Sequence, residues 1–143
     1  MRYYDFLFRS EAETVACGEA LAKELKPGDV VAMYGDLGAG KTQFVRGLAK
    51  GLGLSARVSS PTFTIVNEYL GKTPLFHFDM YRLAGAEELF EIGWEDYLTR
   101  NGVCAVEWSE NAEGAFPSDC IKVRITKTGD YSRRIDVERN EME

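Results

Sequence analysis

The sequence predicts an α/β fold whose sheet is mostly parallel, with added antiparallel strands and flanking helices. Apolar runs of strand length alternate along the chain with segments whose apolar residues recur at helical spacing. This alternation indicates parallel strands joined by crossover helices. A glycine-rich loop also lies between one apolar strand and an amphipathic helix. The 143 residues suffice for one core, so we expect residues 1–143 to form a single domain.

Each element has a local signal. Ser10 has the position of a helix N-cap, Glu13 completes a capping box, and the Lys-Pro-Gly segment 26–28 ends that helix. Gly93 interrupts a later helix, and Gly129 begins the turn of a closing antiparallel hairpin. In chain order we predict a strand at 6–9, the helix from Ser10, a strand at 29–34, a helix at 42–52, a strand in the second half of 58–70, a strand at 75–79, a helix at 87–98, a strand at 102–108 and hairpin strands at 121–125 and 133–137.

Composition excludes several classes of protein. A net charge of −6 argues against a chain that binds nucleic acid alone, although Lys122, Arg124, Lys127, Arg133 and Arg134 gather near the C-terminus. These are outward residues of the hairpin or a weak nucleic-acid patch. No apolar run is long enough to cross a bilayer, and the polar N-terminus is no secretory signal. The three widely spaced cysteines lack metal-binding spacing, so we expect reduced structural thiols in a cytoplasmic protein.

The glycine-rich loop at 35–42, GDLGAGKT, matches the Walker A pattern at every fixed position. In such a P-loop the backbone N–H groups and the following helix N-terminus face the phosphates of a nucleotide. Lys41 can reach the β- and γ-phosphates, and the Thr42 hydroxyl can bind magnesium. The alternative is a glycine-rich turn that binds nothing. We predict a nucleoside triphosphate site that comprises Asp36, Leu37, Gly38, Ala39, Gly40, Lys41, Thr42 and Gln43.

Two predicted strands end in carboxylates, where open α/β sheets place their functional groups. Asp79 is a candidate Walker B-type acid that binds magnesium or orients water, or else a turn cap. Glu107 closes an apolar strand, where a carboxylate is unfavourable unless it is paired, exposed or bound to a cation. Trp108 packs at the rim of the site or covers the nucleotide. His77 shares a strand face with Asp79 and is either a satisfied core residue or catalytic.

Two further segments bear on the nucleotide. Thr62 lies in the loop 60–64, SPTFT, in the position where GTPases keep switch I, so it could contact magnesium or the γ-phosphate. An ordinary proline-containing turn explains this loop equally well. The guanine-reading pattern N-K-x-D is absent, and this absence favours adenine as the base.

These motifs together resemble the bacterial TsaE (YjeE-type) ATPases, the small ATPase subunits of the tRNA threonylcarbamoyladenosine modification machinery. The resemblance rests on GDLGAGKT at 35–42, SPTFT at 60–64, HFDMYR at 77–82 and EW at 107–108, and it spans roughly residues 8 to 137. It implies a compact P-loop NTPase fold, ATP or ADP with Mg²⁺ as cofactors, a cytoplasmic location and weak hydrolysis in isolation.

The resemblance also implies roles for single residues. Lys41 would bind phosphate, Thr42 and Glu107 would hold magnesium, and Asp79 would be essential for hydrolysis. Thr62 would lie in the switch-like loop and Trp108 near the nucleotide, with Thr14 and Arg134 as weaker candidates for adenine contacts. The implied partners are a threonylcarbamoyl transferase subunit and its inactive paralogue, which modify the adenosine beside the anticodon, so that tRNA is met indirectly.

Two other functions share the same phosphate cradle. A small-molecule kinase needs a mobile lid that carries arginine, and no arginine lies between Arg82 and Arg100. A nucleotide-dependent binding switch needs no catalysis, only a loop that bound phosphate orders. The predicted function remains an ATPase whose missing transition-state element is supplied by a partner.

Overall fold

Strands and helices alternate along the chain as the sequence predicts. The computed structural model describes residues 2–8, 10–35, 40–55, 58, 66–81, 85–112, 114–129 and 132–139. Its elements are β1 (Arg2–Phe8), α1 (Glu11–Ala22), β2 (Val30–Tyr34), α2 (Lys41–Gly51), β3 (Val66–Tyr69), β4 (Leu75–Asp79), α3 (Ala86–Glu91), α4 (Trp94–Leu98), β5 (Val103–Glu107), a 3₁₀ turn (Ser109–Ala112), β6 (Ile121–Lys127) and β7 (Arg133–Arg139). The predicted break in the third helix falls at Gly93, whose φ of 90° suits glycine.

The strands form one sheet in the order β1-β7-β6-β2-β5-β4-β3. Its centre is parallel, because β2 pairs with β5 and β6, and β5 also pairs with β4. Both edges are antiparallel: β3 pairs with β4, and β1 and β6 pair with β7. The predicted fold class is confirmed, and β1 is longer than predicted because it pairs with β7 over most of its length. The carboxyl ends of β2, β5 and β4 therefore lie next to one another at the same end of the sheet.

Side chains from both faces of the sheet contribute to the core. On one face Val31 and Met33 of β2 pack with apolar residues of α1 and α2. On the other face the alternate residues Val30, Ala32 and Tyr34 pack with side chains of α3, α4 and the 3₁₀ turn. All five residues of β2 are buried, which explains why this strand is a continuous apolar run in the sequence.

Helices α1 and α2 approach each other through glycines. A Cβ added at Gly47 would lie 2.0 Å from the carbonyl oxygen of Val15, and one added at Gly18 would lie 2.3 Å from that of Phe44. Each helix thus packs backbone against backbone, with no space for a methyl group. The position of α2, and of the residues at its N-terminus, is set by this contact with α1.

Charged residues alternate with core residues along the C-terminal hairpin and point outward, as predicted. Lys122 lies opposite Glu138 and Arg124 opposite Asp136 in the β6–β7 register, and the Arg134 Nε is 3.5 Å from the Asp136 carboxylate. Acidic partners thus accompany the cations, which favours outward hairpin residues over a nucleic-acid patch. Among the described residues no helix is long and apolar enough to span a bilayer.

The three cysteines are free and buried. Burial raises the pKa of the Cys17 and Cys104 thiols to about 12, so neither forms a thiolate at neutral pH. The prediction that they are structural thiols is confirmed.

Candidate active site at the start of helix α2

Helix α2 begins directly after the glycine-rich loop. Gly40 precedes it with a φ of 109°, in the left-handed region that glycine adopts without strain. Lys41 and Thr42 occupy its first turn, which contains no acidic residue, and no side chain hydrogen-bonds as an N-terminal cap in this described segment. The unpaired N–H groups and the positive end of the helix dipole are therefore available to an anion such as phosphate.

The structure describes only part of the predicted nucleotide site. Gly40, Lys41, Thr42 and Gln43 are among the described residues. The predicted contacts Asp36, Leu37, Gly38, Ala39 and Thr62 lie outside them.

Lys41 is buried under an aromatic ring. Its Nζ donates a hydrogen bond to the Gly35 carbonyl at 2.6 Å and lies 3.6 Å from the centroid of the Trp108 ring. Only 5% of Lys41 is exposed, so the ammonium is held by a carbonyl and a cation–π contact. These contacts hold the ammonium beside the residues that begin α2.

Glu107 and Asp79 lie side by side at the ends of neighbouring strands. They are paired in the parallel β4–β5 register, on the face of the sheet that α2 covers. Glu107 is buried at 4% exposure. Its Oε2 atom lies 3.5 Å from the Thr42 hydroxyl, which can donate to it, and also contacts Nε2 of His77. The structure thus brings together the strand-end carboxylates and the threonine at the start of α2.

Asp79 is a turn cap in this structure, and its role as a magnesium-binding or water-orienting acid stays a prediction. Its Oδ1 atom accepts a hydrogen bond from the backbone N–H of Tyr81 at 2.9 Å, which makes it a turn cap. The carboxyl is half-buried, and burial raises its pKa above the ordinary value, assisted by the negative charge of Glu107. The Tyr81 hydrogen bond and the charges of His77 and Lys41 oppose this increase.

The structure gives His77 and Tyr81 contacts at the site that the sequence did not specify. His77 is fully buried and contacts Glu107, so it belongs to the site. The signal for it was its position two residues before Asp79, on the same strand face. The Tyr81 ring lies 5.0 Å from the Trp108 ring while 61% of the residue is exposed. Trp108 itself has a φ of 57°, which is uncommon for a bulky residue and directs the chain sharply after Glu107.

The 3₁₀ turn after Trp108 is fixed by buried hydrogen bonds. The Ser109 hydroxyl accepts from the Met33 N–H at 3.0 Å and donates to the Val106 carbonyl at 2.8 Å. The Asn111 side chain donates to the carbonyl of Met80 at 2.9 Å. These contacts connect β2, β4 and β5 at the edge of the sheet that carries the site.

The two weaker candidates for base contacts lie apart from each other. Thr14 is buried on α1, and its methyl carbon would lie 3.8 Å from a Cβ added at Gly40. Arg134 is exposed on β7, on the sheet face opposite α2, because it alternates with the core residues Ile135 and Val137. Thr14 therefore lies beside the P-loop, whereas the structure does not bring Arg134 to the cluster around Glu107. Both assignments stay predictions.

The oxygen atoms at this site fit magnesium. Hydroxyl and carboxylate oxygens are the donors this ion prefers, and it usually takes one or two carboxylates together with phosphate oxygens and water. Within the described ranges no group of three or more His, Cys, Asp or Glu side chains could hold a metal ion. Thr42 and Glu107, with Asp79 beside them, supply oxygen donors of this kind.

Comparison with known proteins identifies the family. The family described as "Threonylcarbamoyl adenosine biosynthesis protein TsaE" matches residues 8–135 of this chain. The chain belongs to the TsaE family. The sequence resemblance is thereby confirmed, and the Walker A loop, both strand-end carboxylates and His77 all fall within the matched residues.

Two named relatives show how much of a TsaE protein this chain represents. The tRNA threonylcarbamoyladenosine biosynthesis protein TsaE of Bacillus subtilis is 44% identical over 86% of this chain and 77% of its own length. The protein of the same name from Treponema pallidum is 40% identical over 90% of this chain and 96% of its own length. A crystal structure of Bacillus subtilis YdiB superposes with a TM-score of 0.78 at 37% identity, and the match covers 96% of this chain and 86% of that one.

Proposed function

We propose that this chain is a magnesium-dependent ATPase whose turnover serves threonylcarbamoyladenosine modification of tRNA. The observation that carries the proposal is the position of Glu107, buried at the end of β5 with its Oε2 atom 3.5 Å from the Thr42 hydroxyl at the start of α2. A P-loop threonine beside a strand-end carboxylate is the arrangement that P-loop ATPases use for Mg²⁺ and the β- and γ-phosphates. The names of its TsaE relatives support the tRNA modification.

Each residue of the site would have its own role in hydrolysis. Lys41 and the N-terminus of α2 would balance the charge of the β- and γ-phosphates. Thr42 and Glu107 would hold Mg²⁺, which supplies positive charge beside those phosphates. Asp79 keeps one carboxylate oxygen on the Tyr81 N–H, and its other oxygen would orient the attacking water.

One contact supports slow turnover by the isolated chain. The Lys41 ammonium is held by Gly35 and Trp108, and it would have to shift towards the phosphates during turnover. An arginine supplied in trans is a common way to complete such sites. We propose that the complementing surface belongs to a threonylcarbamoyl transferase subunit and its inactive paralogue, through which the chain also meets tRNA. Such an assembly would operate in the cytoplasm.

The test is steady-state ATP hydrolysis with Mg²⁺, measured for this chain alone and with the two partner proteins. We expect partners to accelerate hydrolysis by roughly 10³–10⁵-fold, the scale observed when a partner supplies a missing transition-state group. Glu107→Gln is expected to lower the stimulated rate by at least about 100-fold, as loss of one electrostatic contact in the transition state does. Modified tRNA is quantified by mass spectrometry in the same reactions.

Glu68→Gln provides a matched control. Glu68 lies on the neighbouring edge strand and pairs with Arg100 at 2.8 Å, away from Thr42, so this variant should keep full activity. Fast turnover that ignores the partners would overturn the assembly and favour a small-molecule kinase. Full tRNA modification by Asp79→Ala would overturn hydrolysis and favour a binding switch.

A further inference from the structure

His77 is the single histidine of the chain and is fully buried in β4. Register places β4 between β3 and β5, with Asn67 on one side of His77 and Ala105 on the other. His77 lies on the same strand face as Leu75, which packs into the core under α1 and α2. The imidazole therefore lies on the face of the sheet that α2 covers, in contact with Glu107.

Two groups of the described residues contact the Glu107 carboxylate, and both contact the same oxygen. Nε2 of His77 and the Thr42 hydroxyl meet Oε2, and the hydroxyl lies at the long distance of 3.5 Å. His77 is thus the close polar neighbour that fixes this buried side chain. Oε1 of Glu107 has no hydrogen bond to a described residue and stays available as a ligand.

The other imidazole nitrogen argues against a purely structural role. Nδ1 of His77 is buried without a hydrogen-bond partner among the described residues. Leaving a buried polar atom unpaired costs about 1–3 kcal/mol, which an apolar side chain of similar size would avoid. The contact through Nε2 has to offset this cost. Because a carboxylate only accepts, the Nε2 nitrogen is assigned as the protonated donor.

We propose that His77 is a positioning residue: its Nε2–H holds the Glu107 carboxylate in the orientation that binds Mg²⁺ together with Thr42. The inference rests on the proposed function and deepens it. A donor behind a metal-binding carboxylate fixes its direction, and loss of such a donor typically weakens metal binding by 10–100-fold.

The test compares His77→Gln with His77→Asn. Glutamine places its amide N–H₂ near the position of Nε2, whereas the shorter asparagine places it near Nδ1. Both bury the same amide, so the pair differs in reach and not in polarity. Two quantities are measured. Electron paramagnetic resonance measures the affinity of the ATP-loaded protein for Mn²⁺, and a separate titration measures the affinity for ATP in EDTA.

We expect Mn²⁺ to bind about 10–100-fold more weakly to His77→Asn and within about threefold of wild type to His77→Gln. ATP binding in EDTA should be equal in all three proteins, because Lys41 and the helix N-terminus are unchanged. Phe78→Leu removes buried volume from the opposite face of β4 and should lower thermal stability without changing Mn²⁺ affinity. The control thereby distinguishes lost packing from lost orientation.

Equal Mn²⁺ affinities for His77→Asn and wild type would overturn the positioning role, as would a His77→Gln variant as weak as His77→Asn. Equal losses of ATP affinity with and without metal would also overturn it, since they indicate a general structural defect. A wild-type protein that binds ATP without recruiting Mn²⁺ would instead overturn the proposed function itself.

Discussion

The close packing of α2 against α1 at Gly47 predicts a large effect of Gly47→Ala. Gly47 lies in the middle of α2, where replacement of glycine by alanine ordinarily stabilises a helix by about 1 kcal/mol. Here the new Cβ would lie 2.0 Å from the Val15 carbonyl oxygen and 2.9 Å from the backbone of Gly18 and Glu19. All three obstacles are backbone atoms, so a change of side-chain rotamer cannot relieve the contact.

The magnitude follows from the displacement that is needed. Ordinary contact begins near 3.4 Å, so α1 and α2 must separate by 3.4 − 2.0 = 1.4 Å near Val15. Overpacking usually costs about 1–3 kcal/mol, and rigid backbone places this site at the upper end. After subtraction of the gain in helix propensity, we expect a net loss of about 2 kcal/mol. For a chain of this length the loss corresponds to a decrease in melting temperature of roughly 4–8 °C.

The same displacement should reach the site. Thr42 lies about 1.4 turns before Gly47 on the same helix, and its hydroxyl is already 3.5 Å from Glu107. ATP affinity measured with Mg²⁺ by calorimetry should therefore fall together with the free energy of unfolding measured in urea. Ala16→Gly, at an exposed position of α1, measures propensity alone and should cost about 1 kcal/mol without loss of ATP affinity. Wild-type or greater stability of Gly47→Ala would refute the glycine-limited packing.

Three further predictions follow from individual groups. Because burial raises the pKa of Asp79, the folded state binds that proton more tightly than the unfolded state, and stability falls as pH rises through the window above the unfolded pKa of about 4. Asp79→Asn should therefore raise the melting temperature of the nucleotide-free protein at pH 7, with a difference that vanishes towards pH 4; a lower melting temperature at pH 7 contradicts this. The thiols of Cys17 and Cys104, with pKa values of about 12, should react with a disulfide reagent at pH 8 only after unfolding, and mass spectrometry that finds either one modified in the folded protein contradicts their burial. In a variant with Trp108 as the sole tryptophan, saturating Mg²⁺ and ATP should change its fluorescence as Lys41 leaves the ring, and an unchanged spectrum contradicts that movement.

Some site residues could be predicted because their signals are local. Lys41 and Thr42 follow from the Walker A spacing, which lies within eight consecutive residues. Glu107 could be predicted because a carboxylate that ends a buried apolar strand requires a cation, a partner or solvent. The contact between the Tyr81 and Trp108 rings could not be predicted, because it exists only when β4 and β5 are neighbours.

The sequence by itself determined the α/β class, most element positions and the chemical groups of the site, since hydrophobic period, turn residues and motif spacing act over a few residues. Only the tertiary structure decided the order of the strands, and with it which groups meet. The pairing of β4 with β5 places Asp79 beside Glu107 and brings Nε2 of His77 to the same carboxylate. Contacts between residues far apart in the chain depend on the packing of the entire sheet, and no local pattern encodes that order.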